Sequence, residues 1–177
     1  VDLVTGDLIV AYDGDPGALE LAGLGPGRPF GCARPHHALP PPLPSGMVAA
    51  EVPYLRIADY YHHSLIDGPG RRSVVRCQGC RLACWACHVP ETHALDGGSL
   101  TPVTTLAAAL LDPAYPRDGI TISGGEPTLQ PEGVLALIAA LRHGGCADIG
   151  LYSGYTLAAL RRRAVRQPAL AAVLACV

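Results

Sequence analysis

The chain has 177 residues, 49% of them hydrophobic, which is enough for one well-cored domain with an additional arm. A formal charge of −2 and a pI near 6.4 leave no global basic field, which excludes nucleic-acid binding through broad electrostatics; the run Arg161, Arg162 and Arg163 reads as a solvated helix face. No apolar run approaches the roughly 18 to 20 residues of a membrane span, no basic-then-apolar signal opens the chain, and its seven cysteines are an odd number with four of them, Cys77, Cys80, Cys84 and Cys87, crowded into one loop, so a soluble, cytoplasmic protein is expected.

Leu3 to Tyr12 predicts one short strand. Residues 13 to 53 carry nine prolines, including Pro40, Pro41, Pro42 and Pro44, so no long helix or central strand forms there. Residues 1–50 therefore read as a Pro/Gly-rich N-terminal arm or linker and residues 51–177 as the domain. Within the arm, Cys32, His36 and His37 lack the partner pair that a metal site needs. The chain starts at Val1 and stops at Cys176-Val177 inside an apolar pattern, so the domain reads as C-terminally truncated.

From Val52 onward β and α signals alternate, the mark of a parallel sheet with crossover helices. Leu55 to Tyr60 reads as an extended lead-in, Ile66 to Gly70 as a turn, and Ser73 to Arg76 as a strand that delivers a cysteine loop. A helix is expected over Pro102 to Leu111, with Thr101 as N-cap and Pro102 at its first position. Gly119 to Ser123 is the next strand and runs into Gly124-Gly125-Glu126-Pro127. Glu132 to His143 is an amphipathic helix closed by Gly144-Gly145, Asp148 to Tyr152 a third strand and Thr156 to Arg166 a further helix. In such folds the carboxyl ends of strands are where ligands bind, so the unusual loops converge on one face.

The loop after the first of these strands reads Cys77-x2-Cys80-x3-Cys84-x2-Cys87-His88. Two C-x2-C pairs suggest zinc, but zinc ribbons separate their pairs by roughly 15 to 20 residues and only three lie between these. A closed ferredoxin-type cluster would use all four cysteines, yet its C-x2-C-x2-C-x3-C run orders the gaps differently. The remaining reading takes Cys80, Cys84 and Cys87 as ligands of three corners of a cubane iron–sulfur cluster, with Cys77 the last residue of its strand and the fourth iron open. Trp85 and His88 flank these ligands, where either could shield a cluster or donate to a sulfide. His62, His63, His93 and His143 have no paired spacing and read as surface or core histidines.

With Asp67-Gly68-Pro69-Gly70-x-Arg72 ahead of this loop, Pro90-Glu91-Thr92 after it, and then Ser123-Gly124-Gly125-Glu126-Pro127 and Tyr152-Ser153-Gly154-Tyr155-Thr156, the chain resembles the radical S-adenosylmethionine activating enzymes over roughly residues 55 to 165. Within that superfamily it is most similar to the activating protein of anaerobic ribonucleoside-triphosphate reductase and to the pyruvate formate-lyase activating enzyme. The resemblance implies a partial parallel β/α barrel. It implies a [4Fe–4S] cluster on Cys80, Cys84 and Cys87 whose open iron is chelated by S-adenosylmethionine, with Gly124, Gly125 and Glu126 gripping the methionine amino group. It also implies reductive cleavage to a 5′-deoxyadenosyl radical and hydrogen abstraction from a glycine of a partner glycyl-radical enzyme, an anaerobic ribonucleotide reductase above all. The electron then comes from a flavodoxin- or ferredoxin-type donor. Ala86 stands where the family often has an aromatic against the adenine, and Val89 where an asparagine often follows the Cys-His pair. Two rival readings are an enzyme of the same chemistry acting on a small molecule such as a deazapurine precursor, and a non-enzymatic iron–sulfur or zinc module with Cys77 as fourth ligand.

Overall fold

The computed structural model describes residues 52–177 and the backbone of one short strand, Leu8–Val10. The rest of the expected arm lies outside the described residues, as do Cys32, His36 and His37. Among the described residues one sheet contains β1 (Leu8–Val10), β2 (Tyr54–Ser64), β3 (Arg72–Cys77), β4 (Ser99–Pro102), β5 (Gly119–Gly124) and β6 (Ile149–Ser153), in the spatial order β1-β6-β5-β3-β2-β4. The helices are α1 (Val103–Leu110), α2 (Pro131–His143), α3 (Leu157–Ala164) and α4 (Pro168–Cys176). The fold is α/β, as expected.

The sheet is not parallel throughout. β1, β6, β5 and β3 run parallel, whereas β2 is antiparallel to β3 and β4 antiparallel to β2. Residues 65–71 are all that join β2 to β3, fewer than the dozen or so a parallel crossover requires, so the chain must reverse there. The turn expected at Ile66 to Gly70 makes the reversal. Its Gly70 has φ +72°, and a Cβ at that position would lie 2.7 Å from Asp118 Oδ2, so the turn needs glycine. Asp67 fixes the turn from both sides: its carboxylate accepts from the Tyr61 hydroxyl at 2.9 Å and from Ser64 Oγ at 2.5 Å, and its carbonyl accepts from Thr121 Oγ1 at 2.6 Å.

β2 extends well beyond the lead-in expected from Leu55 to Tyr60 because it has a partner on each edge. Thr101 and Pro102 look like an N-cap and first helical residue, but both belong to β4, opposite Leu55 and Tyr54. Helix α1 accordingly starts at Val103, whose amide donates to Pro53 O at 2.9 Å. The other expected elements appear within a few residues of their expected bounds, and Thr156 caps α3 by accepting from Ala159 N at 3.3 Å. Helix α4 was not foreseen; its Val173 is buried in the main core.

Alternation along the strands gives the sheet two unlike faces. Val75, Cys77, Ile120, Ile122, Ile149 and Leu151 meet Leu106, Leu110, Val134, Leu137, Ile138 and Leu141 of α1 and α2 in one apolar cluster. Each large side chain so buried contributes about 1.5–3 kcal/mol. The intervening positions carry the polar Arg72, Arg76 and Thr121 beside the buried Val74. Arg72 is fully buried at the amino end of β3. Its guanidinium donates to Thr121 Oγ1 at 3.0 Å, Ile120 O at 2.7 Å and Pro69 O at 3.3 Å, and lies 3.0 Å from Asp148 Oδ1, near enough for an ion pair though not aligned as a hydrogen bond. One side chain thus fastens the starts of three parallel strands, at the end opposite the cysteine loop.

Candidate functional site

The carboxyl ends of β3 and β5 lie side by side, with Cys77 opposite Gly124. The chain leaves β3 through Gln78 and Gly79 and is gripped there from two sides. Gly79 N donates to Thr92 O at 2.8 Å, Cys80 N to His93 O at 3.2 Å, Glu126 N to Gly79 O at 2.8 Å and Gly125 N to Cys77 O at 2.8 Å. Buried Gln78 adds side-chain bonds to Glu91 O at 3.2 Å and Ala94 O at 2.7 Å, and Gln130 Nε2 donates to Gln78 O at 2.9 Å. Both ends of the cysteine loop are therefore fixed by main-chain bonds to one frame.

Gly124 and Gly125, which the resemblance assigns to the methionine amino group, have a more immediate structural cause. Gly124 has φ +99°, and a Cβ there would sit 2.6 Å from Arg76 Cα; at Gly125 a Cβ would sit 2.5 Å from Gly79 O. Backbone approaches backbone at both positions, and an alanine would have to push the strand ends apart. Between Cys80 and Cys84 the loop passes through Ala83 at φ 47°, a left-handed conformation that costs a non-glycine residue about 1–2 kcal/mol.

Cys80, Cys84 and Cys87 line one open cavity of about 200 Å³ together with His93, Gly124, Gly125, Ser153 and Gly154, so the cysteine loop, the end of β5 and the end of β6 share a single site. Among the described residues no three His, Cys, Asp or Glu side chains gather in the manner of a single-ion centre. A cubane cluster needs another arrangement, one soft thiolate at each of three corners spread around a common space, and the three cysteines suit it.

Cys77 does not line this cavity. It ends β3, is fully buried and belongs to the apolar core. Burial first, and then the neighbouring Glu126 carboxylate, push its thiol up to about 12, which opposes the thiolate that iron or zinc requires. Two results are expected. In the folded, cluster-free protein Cys77 stays unmodified by iodoacetamide near pH 8 while exposed Cys84 reacts, as peptide mass spectrometry would show. Because folding raises the Cys77 value, its contribution to stability is complete below the ordinary thiol range and declines as pH climbs from about 9 toward about 12. Urea midpoints across that window that fall equally in wild type and Cys77→Ala would contradict it.

Glu126 is fully buried behind the Gly124–Gly125 segment. Its carboxylate accepts from Thr128 N at 3.0 Å, Thr128 Oγ1 at 2.5 Å, Ser153 Oγ at 3.0 Å and Gly154 N at 2.9 Å, tying the β5 loop to the β6 loop. Arg163 extends this network. It donates to Thr128 Oγ1 at 3.0 Å and Thr128 O at 2.8 Å, and its guanidinium lies 4.5 Å from the centre of the Tyr155 ring. Of the arginine run read as a solvated face, Arg161 and Arg162 are exposed as expected, but Arg163 turns inward to brace the site.

The remaining sequence-predicted residues are placed differently from one another. Trp85 is wholly exposed; His88 and Ala86 are exposed too, and neither Trp85 nor His88 lines the cavity. Tyr152 lines it, as do Ser153 and Gly154. His93, read from sequence as a surface or core histidine, is at the cavity, and no spacing could have revealed that. The Asp67–Arg72 motif lies at the amino end of β3, a strand of six residues or roughly 20 Å whose other end delivers the cysteine loop, and serves the turn rather than the site.

Among the described residues no helix is long and apolar enough to cross a membrane. Residues 66–177 match the family described as 4Fe-4S single cluster domain. The chain is 39% identical over 94 residues to a pyruvate formate-lyase-activating enzyme of Clostridium pasteurianum, covering 51% of this chain and 40% of that protein. It is 40% identical over 85 residues to the enzyme of that name from Streptococcus mutans, covering 45% and 32%. With the anaerobic ribonucleoside-triphosphate reductase-activating protein of Salmonella typhi it shares 33% identity over 112 residues, 58% of this chain and 71% of that protein. The chain thus spans about a third to two fifths of the pyruvate formate-lyase-activating enzymes it matches and most of the shorter reductase-activating protein.

Proposed function

The chain belongs to the 4Fe-4S single cluster domain family, and on that premise we propose that it is a radical S-adenosylmethionine enzyme that activates a glycyl-radical enzyme. The resemblance to activating enzymes that its motifs carry is borne out by its relatives. Its cofactors are a [4Fe–4S] cluster and S-adenosylmethionine. In this reading Cys80, Cys84 and Cys87 hold the cluster, the Gly124–Gly125 backbone meets the methionine amino group, and Glu126 holds the Ser153–Gly154 turn in register behind it. Trp85 and His88, expected to flank the cluster, stand exposed outside the cavity, and the reading gives them no contact with the cofactor. When bound and reduced, the cluster supplies the electron that cleaves the sulfonium to methionine and a 5′-deoxyadenosyl radical able to take hydrogen from a glycine.

The observation that carries this reading is the convergence of three cysteines and two glycine-bearing strand ends on one cavity. Burial of Cys77 tells against the four-cysteine module. Packing of α1 and α2 on one face of the sheet, as crossover helices pack outside a barrel, supports the partial-barrel reading. The partner we favour is an anaerobic ribonucleotide reductase, since the chain matches most of the length of the Salmonella typhi protein. A flavodoxin- or ferredoxin-type protein is the proposed electron donor.

Anaerobic reconstitution tests the assignment. Wild type and Cys77→Ala should each take up about four irons with four sulfides and release 5′-deoxyadenosine from S-adenosylmethionine under dithionite. Cys80→Ala, Cys84→Ala and Cys87→Ala should do neither. A cluster lost in Cys77→Ala, or a loaded wild type that releases no 5′-deoxyadenosine, would refute it.

A further inference from the structure

The cysteine loop is a wall with two sides. Cys84 lines the cavity and is itself exposed, while its neighbour Trp85, the chain's single tryptophan, is wholly exposed and does not line it. Arg81, Ala83, Ala86 and His88 are exposed along the same stretch. Tryptophan and arginine are the residues that protein interfaces favour and that most often carry their binding energy, and here both stand in water on a loop clamped at its two ends.

The charge around this wall is one-sided. Residues 77–90 and 149–177 hold five of the chain's 13 basic residues, Arg81, Arg161, Arg162, Arg163 and Arg166, and none of its 15 acidic ones. The two segments adjoin, since a Cβ on Gly154 would lie 2.4 Å from Leu82 Cδ1 and the cysteine loop thus rests on the turn that opens α3. Arg161 and Arg162 follow within about 8 Å of helix rise from Leu157, and both are exposed, as is Arg166. Glu91, the next carboxylate along the chain from the cysteines, is engaged by Arg76 at 3.1 Å. A chain of net charge −2 therefore carries a local positive field at the end of the sheet that holds the site.

We propose that this outer wall, with Trp85 and Arg81 on the loop and the exposed α3 arginines beside it, docks an acidic one-electron carrier protein and is where the electron enters. The proposal rests on the reading of the site given above and adds the surface to it. One electron crosses: the carrier is oxidised by one and the cluster reduced by one, with no bond made or broken. The two sides of the wall choose the carrier over the glycyl-radical enzyme. A glycine has to enter the cavity to meet the adenosyl radical, and Trp85 stands outside it, whereas an electron needs only an approach to the outer side at Cys84. A patch rich in arginine and free of carboxylates complements an acidic surface and steers its approach.

The test uses the whole chain, reconstituted anaerobically as wild type, Trp85→Ala and the double variant Arg81→Gln/Arg162→Gln, with iron and sulfide contents matched. Stopped-flow absorbance follows cluster reduction by photoreduced flavodoxin and, in parallel, by dithionite, a small reductant that needs no docking surface. With flavodoxin, Trp85→Ala should be slower by about tenfold. The double variant should be slower by about three- to tenfold at low salt, a gap that closes as the Debye length shrinks to about 3 Å at 1 M. With dithionite all three should match. Binding of oxidised flavodoxin to the folded, cluster-free proteins, read by surface plasmon resonance, should weaken in both variants. The proposal is overturned if both variants accept electrons from flavodoxin as fast as wild type, or if wild-type reduction by flavodoxin is insensitive to salt. It is also overturned if dithionite slows by the same factor, which would make these side chains supports of the cluster. Unchanged flavodoxin rates with lost binding of an anaerobic ribonucleotide reductase would give the surface to the substrate protein instead. A wild type that assembles no four-iron cluster refutes the underlying reading of the site, and the proposal with it.

Discussion

Replacing Glu126 with alanine is expected to destabilise the fold by about 3–5 kcal/mol, since hydrogen bonds to a charged group contribute about 1.5–3 kcal/mol each and several are lost at once. The carboxylate is fully buried and serves the amides of Thr128 and Gly154 and the hydroxyls of Thr128 and Ser153. The hydroxyls can turn to other partners, but the two amides cannot. Glu126→Gln should lose less, about 1.5–3 kcal/mol, because one amide oxygen still accepts while its NH2 group opposes whichever donor it faces. Urea unfolding with an unchanged slope measures the loss as a shift of midpoint. An alanine variant within about 1 kcal/mol of wild type would show that the two loops hold their register without this carboxylate.

The second large effect belongs to Arg72, at the far end of the sheet. Arg72→Met should cost about 3–5 kcal/mol, the range for breaking a buried charged network from one side. Most of the loss comes from the carbonyl of Ile120 and the hydroxyl of Thr121, because Asp148 keeps 30% of its side-chain surface exposed and water compensates it in part. Arg72→Lys should restore little. The acceptors lie around a planar fork, and an ammonium on a flexible stem cannot meet them together. The position also offers a control: variants at Arg72 that remain folded should bind iron and sulfide as wild type does, since the cysteines are a strand length away. A selective loss of cluster content in a fully folded Arg72→Lys protein would show that the two ends of the sheet are coupled.

Much of this architecture was legible because the signals are local. The β-branched run Ser73 to Arg76, the alternation over Gly119 to Ser123 and the apolar stripe of Glu132 to His143 each fix an element within a short window. β4 was not legible. Its four residues carry no alternating pattern, and it exists because β2, more than 40 residues earlier in the chain, offers it an edge. Thr101-Pro102 carried a local helix-start signal that this long-range pairing overrides. At the site, cysteine spacing predicted which sulfurs share a cavity because a cluster's geometry is imposed along one loop. His93 and Arg163 escaped notice for the opposite reason: a lone histidine and one arginine among three reach the site only when separate strand ends meet.

The grip on Gly79 has a consequence for how such a protein acquires its metal. Both ends of the cysteine loop are fastened by main-chain bonds that involve no iron. Folding and loading are therefore separable, unlike in small zinc modules whose binding energy is their folding energy. A chain that folds empty presents its thiols on a finished frame, so a cluster destroyed by oxygen can be rebuilt in place on the same molecule.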